Sequence, residues 1–291
     1  MKARVNIGCS RDLNRWAGVV KSKMSSTDTK YVLREHSVFP NRFLGQNFTI
    51  APWVAQKLVE YANIQPTDVV LDAGAGTGFL AHFVSKKCKE VLAVEKDPRL
   101  VSILREHVPS PNIRVIAGDL FRTQIPHFDK VVSAPSYGIS TNFLIWLFNR
   151  DFNVAALVLQ KEFAGRLVAP VGAEEYGWLT VIAYYNVNVE ILDAVPKHVF
   201  YPAPKVDSVI VRLEKVARDP RVAKNHDAFI KLVRSLFVHR NRKVANAIKP
   251  FIRSEALRDN KEKTLAVPFA EKRVRALLPE NFAVIANELY S

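Results

Sequence analysis

One group of residues has the types and spacing to bind a nucleoside. Asp72-Ala-Gly-Ala-Gly-Thr-Gly78 follows the short apolar run Val69-Val-Leu71 and precedes a helical pattern that starts at Phe79. Glycines at 74, 76 and 78 let a backbone approach a ligand closely and take positive φ. Their spacing is G-x-G-x-G, not the G-x-G-x-x-G of dinucleotide-binding turns. Glu95 closes the next apolar run, where a carboxylate can accept both hydroxyls of a ribose. Asp119 closes the third, placed to accept from the exocyclic amine of an adenine. Together they describe an adenosine pocket with no pyrophosphate requirement. S-adenosylmethionine fits it best, and NAD is the competing ligand. A second stretch, Val131-Val-Ser-Ala-Pro-Ser-Tyr-Gly-Ile-Ser140, ends a β-branched run in a Pro-containing turn with one aromatic. It resembles a strand delivering a loop to an active-site mouth, yet the loop has no strong acid, base, nucleophile or amide.

The elements that must position these residues alternate. Val69–Asp72, Val91–Val94, Ile113–Ile116, Val131–Val132 and Ala155–Leu159 are short apolar runs that predict buried strands. Helical patterns lie at 54–62, 79–87, 98–107, 142–149 and 161–168, the third with Pro98 near its start. Leu179–Asn188 and Ser208–Leu213 are later β-rich runs. This alternation predicts an α/β, doubly wound sheet. After Glu214 the periodicity becomes helical: Phe229, Ile230, Leu232, Val233, Leu236 and Phe237, then Val244, Ala247, Ile248 and Phe251, then Phe282–Leu289. The expected organisation is a basic tail over 1–34, the sheet domain over 35–214 and a smaller all-helical domain over 215–291.

The 291 residues, 48% of them hydrophobic, suffice for one large and one small core. The formal charge of +14 implies a polyanionic partner, nucleic acid first and a membrane surface second. No apolar run is long enough to span a membrane. Cys9 and Cys88 have no metal-type spacing, which argues for a reducing, cytoplasmic setting and against iron–sulfur or structural zinc sites; no metal is expected. The tail shows neither a secretory core nor a strong transit-peptide pattern. With no dimerisation feature apparent, a monomer is the default.

From about residue 38 to 290 the chain resembles the ribosomal RNA adenine dimethyltransferases of the small subunit. Phe43-Leu-Gly-Gln-Asn-Phe48 is similar to that family's entry segment, which implies that Gln46 and Asn47 approach the cofactor. Asp72–Gly78, Glu95 and Gly118-Asp119 fall on its cofactor positions, with Thr49, Lys96 and Leu120 beside them. Leu159-Gln-Lys-Glu162, Arg166-Leu167, Glu175-Tyr-Gly177, Phe200-Tyr-Pro-Ala-Pro-Lys-Val-Asp-Ser208 and Leu236-Phe-Val-His-Arg-Asn-Arg-Lys243 follow in the family's order. The resemblance implies a Rossmann-like class I methyltransferase sheet. It also implies N6,N6-dimethylation of two adjacent adenosines near the 3′ end of small-subunit RNA, during ribosome biogenesis. Tyr137 and Phe200 are then the two aromatics that clamp the extruded base.

The chain departs from the family where the loop should supply Asn-Leu-Pro-Tyr. It has Ala134-Pro135-Ser136-Tyr137, and Thr49 stands where Leu is usual. An adenine amine is a poor nucleophile; acceptors for its hydrogens aim its lone pair, and catalysis is mostly positioning and electrostatics. Ala134 has no side-chain acceptor; the candidates to substitute for it are the Ser133 and Ser136 hydroxyls and the Ala134 and Pro135 carbonyls. Lys231, Arg234, His239, Arg240, Arg242, Lys243, Lys249 and Arg253 lie in an acid-free stretch and suit RNA phosphates. Two other readings stay open: an RNA-binding assembly factor that kept the fold but lost efficient transfer, and a transcription-factor relative.

Overall fold

The computed structural model describes residues 29–108, 110–216, 226–254 and 267–290. Cys9 and most of the expected tail lie outside them. The tail reading ends earlier than residue 34, because α1 (Thr29–Glu35) is helical, with Val32 and Leu33 buried. A 3-10 turn at Arg42–Leu44 leads into β1 (Phe48–Thr49) and α2 (Pro52–Tyr61). Alternation then begins: β2 (Val69–Ala73), α3 (Phe79–Ser85), β3 (Glu90–Glu95), α4 (Pro98–His107), β4 (Ile113–Ala117), β5 (Lys130–Ser133), α5 (Ser140–Phe148) and β6 (Val154–Gln160). Next come α6 (Lys161–Leu167), α7 (Trp178–Asn186), β7 (Val187–Val195), β8 (Phe200–Tyr201) and β9 (Ser208–Lys215). Helices α8 (His226–Val238), α9 (Val244–Ala247), α10 (Lys249–Ser254) and α11 (Pro279–Tyr290) complete the described chain.

Seven strands form one sheet in the order β4-β3-β2-β5-β6-β9-β7. The β2, β3, β4, β5 and β6 pairings are parallel, and β9 runs antiparallel to β6. Uninterrupted runs such as Val91–Val94 and Ala155–Leu159 are buried throughout, as a sheet covered on both faces demands. From β2 the chain winds outward to β3 and β4, then returns to β5 on the other side of β2. Strand order reverses there, and ligand crevices form at the carboxyl ends of such strands. A two-stranded antiparallel ladder, Phe48 opposite Tyr201 and Thr49 opposite Phe200, ties the entry segment to the Phe200–Ser208 stretch.

The chain divides into two compact units. One takes residues up to Ala164 with Glu190–Lys215; the other takes Gly165–Val189 with Val216 onward. This corrects the expected boundary at 214, since the helical unit also recruits 165–189. It also corrects the β-rich reading of Leu179–Asn188: α7 fills 178–186, and strand begins only at Val187. Leu179, Val181, Ile182, Ala183 and Tyr185 are all buried, so α7 is apolar nearly all round and shows neither period. Thr180 holds its first turn, accepting from Gly177 N at 3.1 Å and donating to Arg166 O at 2.6 Å. In the same unit α8 buries Phe229, Leu232, Val233 and Leu236. Phe237 stacks on Phe282 at 5.4 Å, and the buried Tyr176 donates to Leu277 O at 2.8 Å. No helix among the described residues is long and apolar enough to cross a membrane.

Candidate active site

A cavity of about 320 Å³ opens at the carboxyl ends of β2, β3, β4 and β5. Its walls include Gln46 and Asn47 from the entry segment, Gly74 and Gly76 from the turn after β2, and Glu95 and Lys96 after β3. Asp119 and Leu120 after β4, and Ala134 and Ser136 after β5, complete the sequence-predicted part. Its size suits a nucleoside-sized ligand. A larger, more open depression of about 760 Å³ borders α4 and shares Lys96 and Gly118 with it, but not the glycine turn.

The wall built by the turns after β2 and β3 is fixed by its own hydrogen bonds. Gly74 N and Ala75 N donate to Val94 O at 2.8 and 2.9 Å, anchoring the turn on β3. Glu95, 6% exposed, accepts from Gly76 N and from Asp97 N, each at 2.8 Å and each on a different carboxylate oxygen. Burial raises its pKa, and the amide donors oppose the rise. Each oxygen keeps a further acceptor site for a ribose hydroxyl. Gly74 has φ of 78°, and a Cβ there would meet nothing within 4 Å, so the space over the turn is open to a ligand. Asp119 Oδ1 accepts from Phe121 N at 2.9 Å, and its other oxygen has no such bond among the described residues. Two acceptor acids and an open glycine backbone therefore fit the adenosine of S-adenosylmethionine.

Three sequence-predicted cofactor residues lie elsewhere. Gly78, at φ 83°, is not on the cavity wall; a Cβ there would come within 2.4 Å of Leu104 Cδ1 and 2.6 Å of Val108 Cγ2. Its role is to let α3 start against α4. Asp72 is 1% exposed beneath the turn, and neither carboxylate oxygen has a hydrogen-bond partner among the described residues. Burial, then the charge of Glu95, pushes its carboxyl up to about 8. Thr49 is buried in the two-stranded ladder and its hydroxyl is unpartnered among the described residues, because its strand register turns it inward.

The loop after β5 divides its residues. Ser133 is fully buried and donates to Ala73 O at 2.7 Å, so its hydroxyl serves the β2–β5 seam and is withdrawn from the cavity. Ala134 and Ser136 line the cavity, while Pro135 is buried behind them. Tyr137, half-buried, shares a 2.6 Å hydrogen bond with Ser208 that couples the loop to the start of β9. Burial raises its pKa. Phe200 is only 4% exposed and packs in the core with Val199 and Val195, so it does not present an open face as the base clamp requires.

Several wall residues escaped sequence reasoning, among them Leu44, Leu100, Phe121 and Ile139. Behind the wall, Asp97 holds the entry segment in place. It caps α4 through Arg99 N at 3.1 Å and accepts from Gln46 Nε2 at 2.9 Å. Bonded chiefly to the Arg99 side chain, its carboxyl is held down to about 2. An Asp-Pro pair before a helical pattern was a visible cap signal, not a visible site signal.

In the helical unit the predicted basic residues are not alike. Arg242 is exposed. Lys231 is exposed on α8, and Arg234 lies over the Trp178 ring at 4.4 Å. Arg240 donates to Glu174 O at 2.8 Å and Ala173 O at 2.9 Å, so its guanidinium fastens a loop within the unit. Lys243 pairs with Glu271 at 2.5 Å.

The profile of the family described as ribosomal RNA adenine dimethylase matches residues 39–289. The probable ribosomal RNA small subunit methyltransferase A of Thermococcus kodakarensis is 36% identical over 255 residues, 86% of this chain and 90% of that protein. Its namesake in Methanosarcina acetivorans is 37% identical over 263 residues, 89% and 97% of the two chains. Among solved structures, a dimethyladenosine transferase from Plasmodium falciparum superposes with a TM-score of 0.70 at 27% identity, covering 81% of this chain and 94% of that one. The 23S rRNA methyltransferase ErmE gives 0.58 at 27% identity, covering 84% and 100%.

Proposed function

The chain belongs to the ribosomal RNA adenine dimethylase family, and from that premise we propose that it dimethylates adenine amines of small-subunit ribosomal RNA, using S-adenosylmethionine. The observation that carries this reading is the shared cavity: Glu95 and Asp119 stand on one side, Ala134 and Ser136 on the other. S-adenosylmethionine supplies an electrophilic methyl group. Glu95 accepts the ribose hydroxyls, Asp119 the adenine amine, and the Gly74 backbone lets the ligand lie close. The target amine is held by Ser136 Oγ and by the Ala134 carbonyl. These acceptors aim its lone pair, and the proton leaves after attack, so no strong base is needed. Tyr137 stacks on the target base. Phe200 completes the clamp only if its side chain turns out of the core. Lys231, Arg234 and Arg242 follow RNA phosphates with little sequence discrimination.

One observation favours a second reading. Ala134 has no side-chain acceptor, and losing one placed partner at a reacting centre costs roughly 10²–10³ in rate. On that reading the chain binds its RNA as an assembly factor. Labelled methyl transfer to unmodified small subunits, with the modified nucleotides mapped, separates the two. Label on adjacent adenosines supports the enzyme; cofactor and subunit binding without label supports the factor.

A further inference from the structure

Helices α1 and α4 pack together through Val32, Leu33, Leu100 and Ile103. Their carboxyl ends coincide, and four ligand-type side chains gather there. His36 Nε2 and His107 Nε2 are in direct contact, with the rings edge-on at 86° and centroids 4.6 Å apart. Each imidazole also faces a glutamate of the other helix: His36 Nε2 lies 3.9 Å from Glu106 Oε2, and His107 Nε2 lies 3.9 Å from Glu35 Oε2. The ligand atoms of Glu35, His36 and His107 all lie within 4.8 Å of one another.

We propose that His36 and His107, with the flanking Glu35 and Glu106 carboxylates, form a site for a zinc-type divalent cation that staples α1 to α4. Two imidazole nitrogens aimed at one point, with carboxylates on either side, are the donor set of a tetrahedral transition-metal site. Calcium and magnesium prefer all-oxygen shells. Zinc–nitrogen bonds of about 2.0 Å set tetrahedral ligand nitrogens roughly 3.3 Å apart, so the rings must part slightly on binding. They can: the histidine side chains are 22% and 17% exposed, and the facing glutamates 63% and 46%. Glu35, His36 and His107 supply three ligands within reach of one ion, and the largely exposed Glu106, 3.9 Å from His36 Nε2, turns in to complete the shell of a structural site. Cysteine spacing alone argued against metal; these histidines stand 71 residues apart and meet only in the folded chain.

The test uses the untagged full-length chain, stripped by chelation and titrated calorimetrically with Zn²⁺ and, separately, Mg²⁺. The proposal expects saturable binding of one zinc ion per chain, a rise in melting temperature on loading, and no comparable magnesium binding. His36→Ala and His107→Ala each weaken zinc binding by at least about 100-fold, while circular dichroism and S-adenosylmethionine binding stay as in the natural chain. Cobalt(II) loaded into the natural chain gives the visible bands of a four-coordinate ion, a readout that needs no variant. The absence of saturable zinc binding overturns the proposal. So do variants that bind zinc as the natural chain does, or equal affinity for magnesium.

Discussion

The two sides of the cavity follow β3 and β5, which flank β2 in the sheet, yet they are built on opposite plans. On the cofactor side, Glu95 is pinned by two amides and Asp97 ties Gln46 to the head of α4. On the target side, Ala134 presents a methyl group, Ser133 turns into the sheet, and only the Ser136 hydroxyl is left on the wall. The difference teaches what each half of a methyl transfer requires. A ribose and an adenine are recognised by fixed acceptors, whose loss leaves polar groups unpaired. A target amine needs only acceptors at the right place, and a backbone carbonyl with one hydroxyl can supply them.

The largest effect is expected on the cofactor side. Glu95→Ala should weaken S-adenosylmethionine binding about 100- to 1,000-fold in calorimetry, since charge-assisted hydrogen bonds to both hydroxyls are lost together. A loss below tenfold would erase the contrast. Next comes Asp72, a buried acid serving neither side. Its pKa of about 8 lies above the ordinary 3.8, so between those values the native chain holds a proton that the unfolded chain releases. Stability therefore falls as pH rises through that window. Asp72→Asn should flatten this slope and add about 2–4 kcal/mol near neutral pH in denaturant titrations. Tyr137→Ala should lower kcat/KM for RNA about 10- to 100-fold, the worth of one stacked base, with cofactor affinity unchanged. The smallest effect belongs to Ser133→Ala, about 1 kcal/mol of stability and less than a threefold change in transfer rate.

The strands were legible because parallel strands buried on both faces leave uninterrupted apolar runs, as Val91–Val94 and Ala155–Leu159 do. Helix α7 was not, because a segment buried on nearly every side has no polar stripe to set its period. Glycine spacing located the turn, but it could not say that Gly78 serves helix packing while Gly74 borders open space. That depends on where Leu104 and Val108 arrive from α4. Asp97 and Phe121 were invisible as wall-builders, since their partners Gln46 and Asp119 reach them through the turn geometry. Phe200 was identified as a clamp by its motif, whereas its burial comes from packing in the core with Val195 and Val199.

The central claim is that the Ala134-Pro135-Ser136-Tyr137 loop still aims an adenine amine. The direct measurement compares single-turnover methyl transfer by the natural chain, Ser136→Ala and Ala134→Asn, on unmodified small subunits at saturating S-adenosylmethionine. The account predicts dimethylated adjacent adenosines from the natural chain, a rate roughly 10²–10³-fold lower for Ser136→Ala, and at most a modest gain for Ala134→Asn. A natural chain that binds cofactor and subunit but transfers nothing, with activity appearing only in Ala134→Asn, would contradict it.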